Sequence, residues 1–174
     1  MVKIIVFIAC SLGIIAVSLP SLRNPRSHGF FRFFAWEAIL GMILLNLEVW
    51  FKNPFSVPQI ISWVLLIISI FLVIHGVHLL RAIGKPRDAL EDTTKLVLQG
   101  AYKYIRHPLY SSLLFLAWGV FFKNFDLLNT TLVAVATLFL VATARAEEAE
   151  NLQKFGAEYA EYMKKSKMFV PFVL

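Results

Sequence analysis

The sequence predicts an all-α integral membrane protein, and three observations support that prediction. Of the 174 residues, 59% are hydrophobic and only 16% are charged, whereas soluble domains are about half apolar and about a quarter charged. The apolar residues are gathered into five stretches separated by polar connections. The basic residues are concentrated in alternate connections. Part of the apolar surface is therefore expected to face lipid rather than water.

Five transmembrane helices are predicted, at residues 2–19, 33–50, 58–80, 110–122 and 127–144. Spanning the hydrocarbon takes about 20 helical residues, so the fourth stretch is marginal. A tight polar link of four residues, Lys-Asn-Phe-Asp at 123–126, joins the last two stretches. These two helices are therefore predicted to form a hairpin whose tip need not cross the membrane completely.

The first stretch begins Met1-Val2-Lys3 and has a length that a signal peptide could have. It lacks a small-x-small cleavage pattern near Ser18 and Leu19, and basic residues follow it rather than precede it. A signal peptide shows the opposite charge arrangement. We therefore expect this stretch to be the first transmembrane helix.

The basic residues predict the orientation. Of the 17 lysines and arginines, all except Lys3, Lys52 and Lys123 lie in the first connection, the third connection or the tail after the fifth stretch. The positive-inside rule places these three segments in the cytoplasm, with the amino terminus outside. The net charge of +6 is explained by this topology, and no compact basic run indicates a nucleic-acid partner.

We interpret residues 1–174 as one membrane domain, with helices one to three in 1–80 and the segments that could carry chemistry in 81–174. The single cysteine, Cys10, allows neither a disulfide within the chain nor a cysteine metal site. After the fifth helix, apolar or aromatic residues recur at Leu152, Phe155, Tyr159 and Tyr162. This spacing predicts a cytoplasmic amphipathic helix on the membrane surface. The apolar run at 168–172 further predicts that the tail from residue 153 to 174 folds back over a cytoplasmic site as a lid.

The most informative stretch is Leu-Val-Leu-Gln-Gly-Ala-Tyr-Lys-Tyr-Ile-Arg-His-Pro-Leu-Tyr at 96–110. Gly100 permits a backbone turn, and Pro108 is favoured as a first helical residue, so His107 is expected at the amino end of helix four. Helix amino ends expose N–H groups that favour polar ligands. The alternative is that Arg106 and the tyrosines anchor the interface and His107 is a solvated cap. Each residue alone fits that alternative, whereas the ordered string favours a site.

A second polar cluster, Glu147, Glu148 and Glu150, directly follows the fifth apolar stretch. Carboxylates at a helix carboxyl end oppose the helix dipole, unless the helix continues into the tail. Glu147 and Glu148 fall about where the lipid ends, and ionisable residues at that depth usually have a functional role.

Together these residues resemble a known signature. Gly100, Tyr102, Arg106-His107-Pro108 and Tyr110, followed about forty residues later by Glu147-Glu148, Phe155-Gly156 and Tyr159, resemble the isoprenylcysteine carboxyl methyltransferase family and its phospholipid-methyltransferase relatives. The resemblance covers residues 96–171. It implies that 81–174 is a cofactor-binding catalytic core, with S-adenosylmethionine as cofactor and S-adenosylhomocysteine as product. The cofactor-binding residues that it implies are Leu96, Val97, Tyr102, His107, Pro108, Leu109, Tyr110, Glu147 and Glu148.

The resemblance also implies that the acceptor is the carboxylate of a membrane-embedded prenylcysteine-like lipid. A carboxylate is already ionised at neutral pH and a sulfonium is a good leaving group, so the reaction needs alignment and exclusion of water more than a base. A bidentate guanidinium would orient the acceptor carboxylate, and Arg145 and Arg106 are the candidates.

Three alternatives remain open from the sequence. A phosphatidylethanolamine N-methyltransferase would use the same cofactor residues, and related membrane reductases would use a nicotinamide cofactor instead. A small transporter or scaffold without catalysis is favoured only by Glu37, Glu48 and the pair His75 and His78. The two histidines lie one helical turn apart and lack a third metal ligand, so packing or a hydrogen bond that supports the site is expected rather than a metal site.

Overall fold

The computed structural model describes residues 1–87, Leu90 and 92–172. The α-helices in this part of the chain are α1 (Val2–Leu22), α2 (His28–Asn46), α3 (Val57–Leu79), α4 (Pro108–Phe121), α5 (Leu127–Phe155) and α6 (Ala157–Lys165). Short 3-10 segments occupy Leu47–Val49 and Gly100–Lys103, and a π-helical turn, Leu80–Gly84, extends α3. The described residues hold two isolated β-bridges and no strand. The all-α prediction is therefore confirmed.

Four helices are long and apolar enough to cross a membrane: Val2–Leu22, His28–Val49, Val57–Gly84 and Leu127–Phe155. The fourth predicted span is shorter, because α4 has 14 residues. At 1.5 Å per residue it extends about 21 Å, less than the roughly 30 Å of hydrocarbon. Integral membrane location is thus supported, whereas the count of five spans and the orientation of the termini stay predictions.

The outer surface of α1 has the composition that lipid favours. Ser18 is its only buried residue, and large apolar side chains such as Ile4 and Ile5 are about two-thirds exposed, at 64% and 65%. A helix whose exposed surface is apolar along its whole length is rare on soluble monomers. The helix is therefore suited to a bilayer, where such side chains meet lipid tails.

The chain consists of two compact units, and helices α3, α4 and α5 contribute residues to both. The first unit contains 1–67 and 114–147. Its helices are joined by polar contacts, which are favourable inside an apolar environment. Ser11 donates to Glu37 at 2.6 Å between α1 and α2, and Ser62 donates to the Gly119 carbonyl at 2.7 Å between α3 and α4.

The second unit contains 68–113 and 148–174. Its small apolar core consists of Leu80, Val97 and Tyr102, against which Leu109 packs. Ser69 on α3 donates to the Ser112 carbonyl of α4 at 2.8 Å. The prediction that 1–174 acts as one domain, divided at residue 80, stays a prediction.

Helices α4 and α5 form the predicted hairpin. Asp126 caps α5 by accepting the Asn129 N–H at 2.7 Å, and Trp118 donates to Thr137 across the two helices at 3.2 Å. The α5 helix continues past the predicted end at residue 144 to Phe155. Glu147 and Glu148 are therefore inside a helix, and the unfavourable effect of the dipole on its last turn is avoided.

The tail after α5 turns at Gly156, whose φ of +58° is readily adopted by glycine. The following helix, α6, buries Tyr159 and Tyr162 and exposes Lys164 and Lys165. An amphipathic helix is thus present at Ala157–Lys165, whereas Leu152 and Phe155, which were predicted to belong to it, lie in α5. Its location in the cytoplasm stays a prediction. Val173 and Leu174, at the end of the predicted cytoplasmic segment, lie outside the described residues.

Candidate active site

The predicted helix start at Pro108 is where the structure places it. Pro108 is the first residue of α4, and the Ser111 N–H closes the first turn onto the His107 carbonyl at 2.8 Å. Proline suits this position because its missing N–H would have no partner inside the helix. His107 is consequently fixed at the amino end of α4, where it is only 4% exposed.

Glu148 of α5 brings the two sequence blocks together. Arg106 donates through Nε to Glu148 Oε1 at 2.6 Å, and His107 Nε2 lies 3.3 Å from the same oxygen. The three side chains are 10%, 2% and 9% exposed for Arg106, His107 and Glu148. Both contacts fall on Oε1, and Oε2 has no hydrogen-bond partner among the residues described. One oxygen is therefore fixed and the other is available to accept.

The tail after α6 pairs with the motif backbone. The Lys167 N–H donates to the Tyr104 carbonyl at 2.9 Å, and the Arg106 and His107 N–H groups donate to the carbonyls of Lys167 and Met168 at 2.7 and 3.2 Å. The Arg106 guanidinium also donates to the Ser166 carbonyl. This strap, residues 166–169, thus holds the Arg-His pair in place by backbone hydrogen bonds.

Phe169 anchors the strap. It is fully buried, and its carbonyl accepts the Ser111 hydroxyl at 2.9 Å. Its ring lies 6.2 Å from the His107 imidazole, while Tyr110 stacks against that imidazole at 5.5 Å and 18°. Two aromatic rings therefore pack against the His107 imidazole and restrict its rotation.

Tyr162 of α6 holds the backbone just before the motif. Its phenol donates to the Tyr102 carbonyl at 2.6 Å and lies 3.3 Å from the Ile105 carbonyl. Burial raises the pKa of the Tyr162 phenol, because the phenolate would lose its hydration. The neutral donor form is therefore retained at physiological pH.

Gly100 and His75 make a close approach at the start of the motif. The φ of Gly100 is +57°, and a Cβ added there would lie 2.5 Å from His75 Nε2. The Ala101 N–H donates to that nitrogen at 3.3 Å, so His75 must present Nε2 as an acceptor. His75 therefore makes the supporting hydrogen bond that the sequence suggested.

The remaining candidates have different surroundings. Val97 and Tyr102 are buried in the small core, Leu109 packs against it, and Leu96 is partly exposed. Arg145 is exposed and Glu147 is partly exposed. The roles of all these residues stay predictions.

The sequence predicted that the tail folds back over the site, but it did not identify which residues of the strap hold the motif. Ser111, Ser166 and Phe169 were not among the candidate residues, although they hold His107 and Arg106. Their contribution is mostly through backbone carbonyls, which any residue type supplies, so the sequence contains little signal for it. The one available signal was the apolar run around Phe169, which is unusual for a solvated tail.

The two sequence blocks also lie within a match to a known protein family. The family model for phospholipid methyltransferase matches residues 57–158, a range that includes both the Arg-His-Pro helix start and the glutamate pair. The chain belongs to the phospholipid methyltransferase family. The matched region contains Arg106, His107 and Glu148, which lie together in the second unit.

The chain is also similar to proteins named methanethiol S-methyltransferase. The one from Crocosphaera subtropica is 25% identical over 148 residues, covering 81% of this chain and 55% of that protein. One from Bradyrhizobium diazoefficiens is 28% identical over 116 residues, covering 63% of this chain and 39% of that protein. One from Pseudomonas deceptionensis is 23% identical over 139 residues, covering 78% and 48%. The chain thus spans about half the length of these relatives.

Proposed function

We propose that this member of the phospholipid methyltransferase family binds S-adenosylmethionine and transfers its methyl group to an acceptor dissolved in the membrane. The observation that carries the proposal is the buried Arg106–Glu148–His107 cluster, which leaves one carboxylate oxygen available. A buried carboxylate needs compensation. Arg106 supplies the charge, and a ligand hydroxyl would supply the remaining hydrogen bond.

The residues fit this cofactor chemically. Ribose hydroxyls are donors that a carboxylate accepts, and a sulfonium is attracted to aromatic faces. The residues proposed to hold the cofactor are Leu96, Val97, Tyr102, His107, Pro108, Leu109, Tyr110, Glu147 and Glu148. When bound, the cofactor supplies an electrophilic methyl group. The described residues contain no group of three or more potential metal-ligating side chains.

The protein's own contribution to the reaction is positioning. Arg106 donates to Glu148 and to carbonyls of the tail, so we assign it the role of holding the carboxylate in place. Arg145 precedes Glu148 by three residues on α5 and is exposed. We therefore propose Arg145 as the guanidinium that orients the acceptor, since a bidentate contact would align a carboxylate for in-line attack.

Two acceptors are proposed. The first is the carboxylate of a prenylcysteine-like lipid, which the signature in the sequence favours and which needs no proton removal. The second is a small thiol, which the names of the three relatives favour. A thiol reacts as its thiolate, with a pKa near 8.5 for cysteine. A phosphatidylethanolamine amine must likewise lose a proton before it reacts.

The test is methyl transfer from labelled S-adenosylmethionine by the purified protein in lipid nanodiscs. The panel contains a farnesylcysteine analogue, a small alkanethiol and phosphatidylethanolamine. A rate that is flat from pH 6 to pH 9 indicates the carboxylate, whereas a rate that rises through the acceptor's titration indicates the thiol or the amine.

Calorimetric binding of S-adenosylhomocysteine provides the independent readout. Binding with no transfer to any acceptor would leave the cofactor assignment standing and overturn the acceptor assignment. A folded protein that binds neither S-adenosylmethionine nor its product would overturn the proposed function.

A further inference from the structure

A buried cation lies in the turn between α4 and α5, away from the motif residues. Lys123 is 6% exposed, and its ammonium lies 3.5 Å from the Trp63 ring centroid and 5.3 Å from that of Trp50. It donates to Gln59 Oε1 at 2.9 Å. The site is distinct from the candidate active site, since Lys123 follows the carboxyl end of α4 and His107 precedes its amino end.

The ammonium has no carboxylate partner among the residues described. Gln59 satisfies one of its three N–H donors, and the tryptophan rings offer only the attraction of their π faces. Burial lowers the pKa of Lys123, which is the expected effect of losing hydration without an opposite charge nearby. An apolar side chain could fill this buried position, so packing alone does not explain why a charged lysine occupies it.

A cavity of about 200 Å³ opens beside this lysine. Its polar lining includes Lys123, Gln59, Lys52, Asn53, Ser56 and Asn124. The charged side chains in this lining are Lys52 and Lys123, so the charge of the lining is positive. The volume is below the roughly 300 Å³ at which pockets begin to hold drug-sized molecules, so the cavity suits a compact group.

We propose that this cavity binds a phosphate oxyanion, with the phosphate of a phospholipid headgroup as its source. Ammonium, hydroxyl and amide donors together satisfy the oxygens of a phosphate, and lysine serves such groups as a point charge. The tryptophans favour the lipid source, because tryptophan is enriched at the level of the headgroups. Free inorganic phosphate presents the same oxygens, so the experiment below distinguishes it from the lipid as the ligand.

The experiment measures thermal unfolding of the full chain in a neutral detergent. Three additions are compared: inorganic phosphate, a soluble short-chain phosphatidylglycerol, and the diacylglycerol with the same acyl chains. The phospholipid is expected to raise Tm with saturation, because a ligand that binds only the folded state stabilises it. Equal stabilisation by inorganic phosphate would identify the free ion as the ligand of the same site.

Variants test whether Lys123 is responsible. Lys123→Gln is expected to weaken the apparent affinity for the phospholipid at least tenfold, whereas the exposed Lys95→Gln, with the same change in charge, is expected to remain within twofold of wild type. Ser56→Asp leaves Lys123 in place and adds a negative charge to the lining, so it should also abolish the Tm increase, while Ser56→Asn should keep it. This pair decides the matter if Lys123→Gln does not fold.

Three results would overturn the proposal. One is stabilisation of Lys123→Gln or Ser56→Asp equal to that of wild type. Another is an equal effect of the diacylglycerol, which would assign the binding to acyl chains. The third is a Tm that neither phosphate nor phosphatidylglycerol changes.

Discussion

Arg106 and Glu148 form an ion pair with side chains that are 10% and 9% exposed and a 2.6 Å contact between Nε and Oε1. The two residues are 42 positions apart in the sequence. A pair buried to this extent has lost most of its hydration, so each charge depends on the other. The stability of the second unit is therefore expected to respond strongly to either partner.

Replacing Glu148 by Gln leaves the Arg106 guanidinium buried without an opposite charge. Removing one partner of a buried pair costs about 3–5 kcal/mol, and we expect about 3 kcal/mol because the amide oxygen still accepts. The control is Glu161→Gln, whose exposed partner is Lys164 and whose cost should stay below about 1 kcal/mol. Unfolding by denaturant in detergent micelles measures both, and equal free energies of unfolding for the two variants would contradict the prediction.

Binding of S-adenosylhomocysteine should depend on the same cluster. Loss of a charged hydrogen bond to the ligand costs about 1.5–3 kcal/mol, or roughly ten- to a hundredfold in affinity. We expect this loss in His107→Ala, Glu147→Gln and Glu148→Gln, and no loss in Glu161→Gln. Calorimetry is done at a temperature where circular dichroism shows each variant folded. Wild-type affinity in all three folded variants would eliminate the shared cofactor site.

Phe169 and Phe172 provide a matched pair in the tail. Phe169 is fully buried, whereas Phe172 is 84% exposed. Removing a buried phenylalanine ring costs about 3–5 kcal/mol, so Phe169→Ala should destabilise the protein strongly and weaken cofactor binding. Phe172→Ala should change the free energy of unfolding by no more than about 0.5 kcal/mol. The strap would have no such role if the two alanine variants behaved alike.

Three glycines separate backbone strain from crowding. Gly13 has open space around it and no positive φ, Gly156 has open space and a φ of +58°, and Gly100 has a φ of +57° with His75 Nε2 at 2.5 Å from an added Cβ. Alanine at Gly13, in the interior of α1, should stabilise the protein by about 0.5–1 kcal/mol. At Gly156 the φ of +58° and ψ of −130° are readily adopted only by glycine, so alanine there should cost about 1–3 kcal/mol. Gly100→Ala should cost more than Gly156→Ala, and thermal unfolding gives the order.

His75→Ala tests that order further. It removes the imidazole that crowds position 100, so Gly100→Ala should cost less in the His75→Ala background than in wild type. Two residues in contact are expected to show such coupling. Additive effects of the two substitutions would indicate that the imidazole does not limit the space at position 100.

Tyr162 predicts a loss of stability in alkali. The pKa of its phenol is raised in the folded state by burial, so the folded protein keeps the proton that the unfolded chain releases near pH 10. The stabilising contribution is complete below pH 10 and falls as the pH rises above it. Tyr162→Phe should cost about 1 kcal/mol at pH 8 for the lost hydrogen bond. The difference from wild type should shrink at pH 11, and a constant difference would exclude the linkage.

The helix boundaries show what hydropathy can and cannot locate. The fifth apolar stretch ends at residue 144 because polar residues begin there, but α5 continues to Phe155. Hydropathy reports where the lipid environment ends, whereas the helix ends where Gly156 turns the backbone. At the start of α2, the Ser27 hydroxyl accepts the Phe30 N–H at 3.3 Å. That capping serine was a usable signal for a start before residue 33.

The contact between the two sequence blocks was predictable, whereas the backbone pairing beside it was not. The hairpin between α4 and α5 implied that His107 and Glu148 would meet, since the start of one helix and the end of the next lie at the same end of a hairpin. The pairing of Ile105 with Lys167 had no such basis. It is made by N–H and carbonyl groups common to all residues, and its register depends on how α6 packs.

The hydrogen bond from Tyr162 to the Tyr102 carbonyl joins residues 60 positions apart, which has a consequence for biosynthesis. The ribosome adds about 5–20 residues per second, so Tyr102 is synthesised roughly 3–12 s before Tyr162. Until α5 and the tail have been synthesised, the Arg106 guanidinium has neither Glu148 nor the tail carbonyls as partners. The hydrogen bonds around Arg106 and Tyr102 can therefore be completed only after α6 and the strap have been translated.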